Sequence, residues 1–202
     1  MGMVLGLTSL SDTNIDRLLA DPPLVWKVIA PDAPDIYEQA RRDAVKSSFL
    51  SGLFGKKAAP PPEPPPLVLA ESEGISTDVD KAWHGIHYLL TGSADEGESP
   101  WSFLVSGGRE VGDVDVGYGP ARVFTAKETR SIHDALASIS EAELRSRFKP
   151  DEMTAKEIYP EIWSRGDPDE ETIGYLVESF RLLRGFLQQT VEAEVGMVIV
   201  LS

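Results

Sequence analysis

Apolar residues recur along the chain with two periods, and the switch between them predicts its elements. At the start, GMVLGLTSL (residues 2–10) places Met3, Leu5 and Leu7 on one side of an extended segment and reads as a strand. At the other end, GMVIVLS (196–202) is apolar and β-branched, as a buried strand is, and the two ends are predicted to meet in one sheet. Between them the helical period dominates. Ser11 is a suitable N-cap for a short helix carrying Ile15, Leu18 and Leu19, which Pro22-Pro23 stops. The stretch from Pro34 to about Phe54 is helical in composition, and Leu67–Ala70 suits a short strand. Thr77 with Asp80 resembles a capping box that opens a helix closed by Gly92. ARVF (121–124) reads as a strand, followed by capping signals at Thr125/Glu128 and Ser140/Glu143. The strongest start signal is DPDE, with Asp167 as N-cap, Pro168 at N1 and Glu170 at N3. The helix after it spaces Ile173, Leu176, Val177, Phe180, Leu183 and Leu187 along one stripe and is predicted to be the main core helix. Residues 1–202 are therefore expected to form one α+β domain, a small mixed sheet containing the N- and C-terminal strands and packed by several helices.

Composition changes this picture in one place. Six prolines in seven positions (60–66) impose polyproline II, so residues of about 55–66 are expected to be an inserted, semi-rigid spacer. The segment before it is basic, with Arg41, Arg42, Lys46, Lys56 and Lys57, and ends in Phe49, Leu50, Leu53 and Phe54. Residues 41–57 thus have the pattern of a membrane-surface or partner-groove helix, although packing on the parent domain with snorkelling lysines is the simpler reading.

Charge and cysteine content narrow the function. With 33 acidic against 19 basic side chains the net charge is −14, which repels phosphate backbones and argues against a nucleic-acid partner. No cysteine is present, so disulfides, thiolate metal sites and cysteine nucleophiles are excluded. The first residues lack a basic stretch before Asp12, and no apolar run approaches the ~20 residues of a bilayer span, so a cytoplasmic protein is expected.

The chemistry-bearing residues concentrate in WHGIH (83–87), which holds two of the three histidines. At about 100° per residue, Ala82, Ile86, Leu89 and Leu90 share one face, Trp83 lies at its margin, and His87 and His84 lie further round. Two histidines three apart can share a metal, but a catalytic site needs a third ligand and a base, and HExxH is absent. Asp78, Asp113, Asp115 or His133 would complete such a set only through folding, so no metal and no cofactor are expected. Histidines bonded to backbone or carboxylate are the simpler reading.

The glycines at 107, 108, 112, 117 and 119 suggest an anion cradle, yet neither GxGxxG nor the P-loop pattern is present, and GYGP leads into a strand. Turn-forming glycine is the simpler explanation. Arg109, Glu110, Tyr118 and Arg122 could still orient a small acid or amide beside the histidines if this loop folds back on the WHGIH helix. Ser106 precedes two glycines but lacks a GxSxG elbow or a spaced base. Acidic residues such as Glu152, Glu157, Glu161, Asp169, Glu171 and Glu178 are a solubility device, or a steering surface for a basic protein.

Together, DVDKAWHGIHYLLTG (78–92), GYGPARVF (117–124) and YPEIW (159–163) resemble the YfbM-like family, domain of unknown function 1877. The resemblance covers the chain apart from roughly residues 40–70. It implies a single α+β domain of bacterial type and no assigned activity, and it makes Asp80, Trp83, His84, His87, Tyr118, Gly119, Pro120 and Arg122 candidates for a shared site or a shared core. Two functional readings follow. One is a non-enzymatic module acting on a protein partner, inhibitor- or immunity-like in its acidity. The other is a small-molecule binder or hydrolase-type enzyme with its ligand or interaction site at Asp80, Trp83, His84, His87, Arg109, Tyr118 and Arg122.

Overall fold

The computed structural model describes residues 2–51, 67–165 and 171–202. The spacer expected at about 55–66 and the DPDE start signal lie outside the described residues. The elements are β1 (Leu5–Leu10), α1 (Asp12–Ala20), a 3-10 turn (Pro22–Leu24) running into α2 (Val25–Ile29), α3 (Pro34–Ser51) and β2 (Ser76–Asp78). A second 3-10 turn (Asp80–Ala82) leads into α4 (Trp83–Thr91), followed by β3 (Arg109–Asp115), β4 (Pro120–Phe124), α5 (Ala126–Ala137), α6 (Glu141–Ser146), α7 (Pro150–Ala155), α8 (Ile173–Glu192) and β5 (Gly196–Leu201).

The strands form one sheet in the order β2-β1-β5-β4-β3. The two chain ends pair at its centre, with Leu5 opposite Leu201 and Leu10 opposite Gly196. Every pairing is antiparallel, where a mixed sheet was expected. The reason is the helical hairpin between β4 and β5: α5 leads away from Phe124, and α8 returns against it, with His133 Nε2 bonded to Gln188 and Arg130 to the Val191 carbonyl. The chain is thereby delivered to the end where β4 stopped, and β5 runs back along it.

Alternation of side chains across the pleat splits the core in two. Leu5, Leu7, Phe124, Met197 and Ile199 point toward α4, α5 and α8, where Ile173, Leu176, Val177, Phe180, Leu183 and Leu187 are all buried. Leu10, Val111, Ala121, Val123 and Val198 point to the other face, covered by α1, α2 and the first turns of α3. No helix among the described residues is long and apolar enough to cross a membrane.

Local signals set the starts of α1, α5 and α6. Ser11 accepts from the Asn14 amide, and Thr125 and Glu128 form a full capping box. Ser140 caps the Glu143 amide, while the Glu143 carboxylate turns outward to Arg147. Two further expectations are corrected. Thr77 and Asp80 form no capping box, because Asp80 sits at φ 44° and donates its own amide to the Asp78 side chain, starting the 3-10 turn. Residues 67–70 form no strand: they lead into a turn whose Ala70 amide donates to the Glu73 carboxylate, and Asn14 takes the Val68 carbonyl.

Candidate functional site

Helix α4 is buried on all sides from Trp83 to Leu90. Its apolar stripe faces α8 and the sheet, and the histidine side is closed by the loop after Gly92 and by the YPEIW turn. Gly85 makes the close approach possible: a Cβ there would lie 2.6 Å from the Trp163 ring and 2.7 Å from Leu176. A bulkier residue would push the helix off the indole of Trp163, which is fully buried and donates to the Ile158 carbonyl.

Trp83, His84 and Tyr159 form a stack. The Trp83 and His84 rings lie 4.9 Å apart and 8° from parallel, and the Tyr159 ring stacks on the indole at 6.0 Å and 27°. Trp83 donates its ring N–H to the Met3 carbonyl, and the Met3 amide donates to the Tyr159 hydroxyl. The Tyr159 amide donates to His84 Nδ1 at 3.0 Å, which leaves the ring proton on Nε2, 2.9 Å from the Ala94 carbonyl. Both ring nitrogens of His84 are thus committed to backbone. Burial pushes its pKa down, with Ala94 and Asp95 opposing.

His87 is fully enclosed, 6.4 Å from His84 between ring centres. Its Nε2 lies 3.4 Å from the Thr91 hydroxyl, which itself donates to the His87 carbonyl, and its Nδ1 is buried without a hydrogen-bond partner. Burial, reinforced by His84, lowers its pKa to about 4, with the Glu96 backbone and Asp95 acting in the other direction. The pair is therefore neutral at physiological pH.

The remaining candidates are placed apart from the histidines. The Asp80 carboxylate accepts from the Tyr175 hydroxyl at 3.0 Å, fastening the 3-10 turn to α8. Arg122 reaches from β4 to three carbonyls, those of Phe103, Leu104 and Gly107, at 2.9–3.0 Å. Burial lowers its pKa to about 10, with Glu110 opposing. Arg109 points to the other side of β3, 3.9 Å from Asp16, with both side chains exposed. Tyr118 is exposed at the tip of the β3–β4 hairpin, its amide bonded to the Leu201 carbonyl. Gly117 and Gly119 adopt positive φ there and donate to the Asp115 side chain, so in this hairpin the glycines serve the turn. Ser106 donates to the Ser102 carbonyl. His133 bonds Asp134 and Gln188 on the far helical hairpin, and among the described residues no group of three His, Cys, Asp or Glu side chains is placed to hold a metal.

Sequence reasoning missed three features. Tyr159 and Trp163 belong to a motif it quoted, but nothing in YPEIW says which helix it meets. Glu73 accepts from the amides of Ser11 and Ala70 and from Asn14, all within 2.8 Å, and ties the start of α1 to the turn after Leu69. A cavity of about 330 Å³ opens between α2, α3 and residues 67–69, on the face of the sheet opposite α4.

The comparisons with known proteins agree with this fold. The structure is similar to that of YfbM from Escherichia coli, a protein of unknown function, with a TM-score of 0.61 over 98% of this chain and 99% of that one at 16% identity. Identity at that level carries the fold alone. A comparison with curated proteins gave no match. The family model described as Domain of unknown function (DUF1877) matches residues 1–200, the stretch that contains the WHGIH pillar, the Arg122 clamp and the YPEIW turn, and the chain belongs to that family.

Proposed function

We propose that this chain is a non-enzymatic cytoplasmic interaction module, acting on a protein partner through its surface, with WHGIH as an internal support. The observation that carries the reading is the commitment of His84: one ring nitrogen takes the Tyr159 amide and the other the Ala94 carbonyl, so neither is available to a substrate without breaking the fold. Arg122, spent on three backbone carbonyls, supports it in the same way. The net charge of −14 favours a basic partner, which gives the reading an inhibitor- or immunity-like form.

Native mass spectrometry of the protein captured from its own cells tests this. A basic protein partner that is released by salt and rebinds the purified chain is the expected result. A retained small molecule or metal ion that disappears with both His84→Ala and His87→Ala would overturn it.

A further inference from the structure

The cavity between α2, α3 and residues 67–69 lies on the face of the sheet that the WHGIH helix does not touch, and none of the residues in the stack lines it. Its volume of about 330 Å³ falls at the lower end of the range of small-molecule pockets. A ligand of one ring with a short polar tail suits that scale.

The lining combines flat apolar surface with one charge of each sign. Trp26 and Tyr37 offer aromatic groups, Leu67 and Leu69 apolar walls, and Lys27 and Glu38 an ammonium and a carboxylate. The Lys27 ammonium rests 4.1 Å from the centre of the Tyr37 ring, an arrangement that fixes the cation at the wall without neutralising it. The Lys27 ammonium is thus the one cation in the lining that an incoming carboxylate would meet.

Outside the lining, Asp21 lies close enough to Lys27 and Arg41 to feel both. At the cavity itself the charges are one cation, Lys27, and one anion, Glu38. A net anion would meet the Glu38 carboxylate and a net cation the Lys27 ammonium, whereas a zwitterion satisfies both.

We propose that this cavity binds a small aromatic zwitterion of the α-amino-acid type, its ring against Trp26 and Tyr37, its carboxylate on Lys27 and its ammonium toward Glu38. The proposal does not rest on the preceding reading and stands or falls without it.

The test is a titration of the ¹⁵N-labelled full chain with phenylalanine, 3-phenylpropionate, which lacks the amine, and phenethylamine, which lacks the carboxylate. Phenylalanine is expected to shift the amides of residues 26–38 and 67–69 and to bind at least about fivefold tighter than either analogue, the effect of one partly exposed ion pair. Lys27→Met should weaken phenylalanine about fivefold and leave phenethylamine unchanged, while Glu38→Gln should do the converse with 3-phenylpropionate. Lys27→Arg keeps the charge and should retain binding, which separates loss of the ion pair from loss of fold. Absence of shifts at millimolar phenylalanine, equal affinity for all three compounds, or indifference to Lys27→Met would overturn the proposal.

Discussion

The Tyr159 amide donates to His84 Nδ1 at 3.0 Å, across 75 residues of sequence. This one bond joins the WHGIH helix to the YPEIW turn and fixes the imidazole as the tautomer protonated on Nε2. His84→Ala would leave the Tyr159 N–H and the Ala94 carbonyl without partners in a partly buried place. It is expected to cost about 2 kcal/mol in urea unfolding. A ¹⁵N spectrum should show the same neutral tautomer in the native protein at pH 7.

Gly85→Ala is the second prediction. The added methyl meets Trp163 and Leu176 inside normal contact distance, so the usual gain from replacing a helical glycine is reversed. A loss of about 1–3 kcal/mol is expected. The comparison is Gly174→Ala on α8, where a Cβ meets nothing within 4 Å and helix propensity should stabilise. Melting temperatures that move in opposite directions for the two variants would bear this out.

Acid should loosen the histidine pair. For His87, with a folded pKa of about 4 against 6.5, the unfolded chain binds the proton first as pH falls. The contribution is therefore fully present above pH 6.5 and is lost progressively as pH falls toward about 4. Its full size is on the order of 3 kcal/mol. His87→Leu removes that proton and should flatten the rise of stability with pH between 4 and 6.5 relative to the wild type, measured by urea unfolding at each pH.

Glu73 behaves with the opposite chemistry and the same sign. Burial raises its pKa, but the amides of Ala70 and Ser11, with the side chains of Ser11 and Asn14, outweigh burial and leave it below the ordinary glutamate value of 4.5. Its stabilisation is present above that value and is lost as pH falls through the lowered folded pKa. Glu73→Gln is expected to cost about 1–2 kcal/mol at pH 7 and much less at pH 3.

Much of the fold was legible because it is written locally. The strand pattern of each chain end, the stripe on α8 and the caps at Ser11 and Thr125 depend on neighbours within a few residues. Beyond the meeting of the two ends in one sheet, what could not be read was which segments meet. Nothing in the sequence around Gly85 says that Trp163 occupies the space a side chain there would need. The histidines looked like a possible reactive arc because helical spacing says where a side chain points, not what covers it. Arg122 looked like a ligand for an acid, but the carbonyls of the 103–107 turn reach it first. The cavity at Trp26 and Tyr37 left no trace in the sequence, since its walls come from three segments with no common pattern.

The pairing of the chain ends also sets how the domain bears mechanical load. Val4 and Ser202 exchange both backbone hydrogen bonds, and β1 runs against β5 from that point inward. Tension applied across these two residues would load the ladder one rung at a time, as in opening a zipper, whereas strands pulled in shear would share the force among all rungs. The first resistance would come from Trp83 and Tyr159, which hold Met3 just outside the ladder. Once they release, the central seam of the sheet would open from its end at low force.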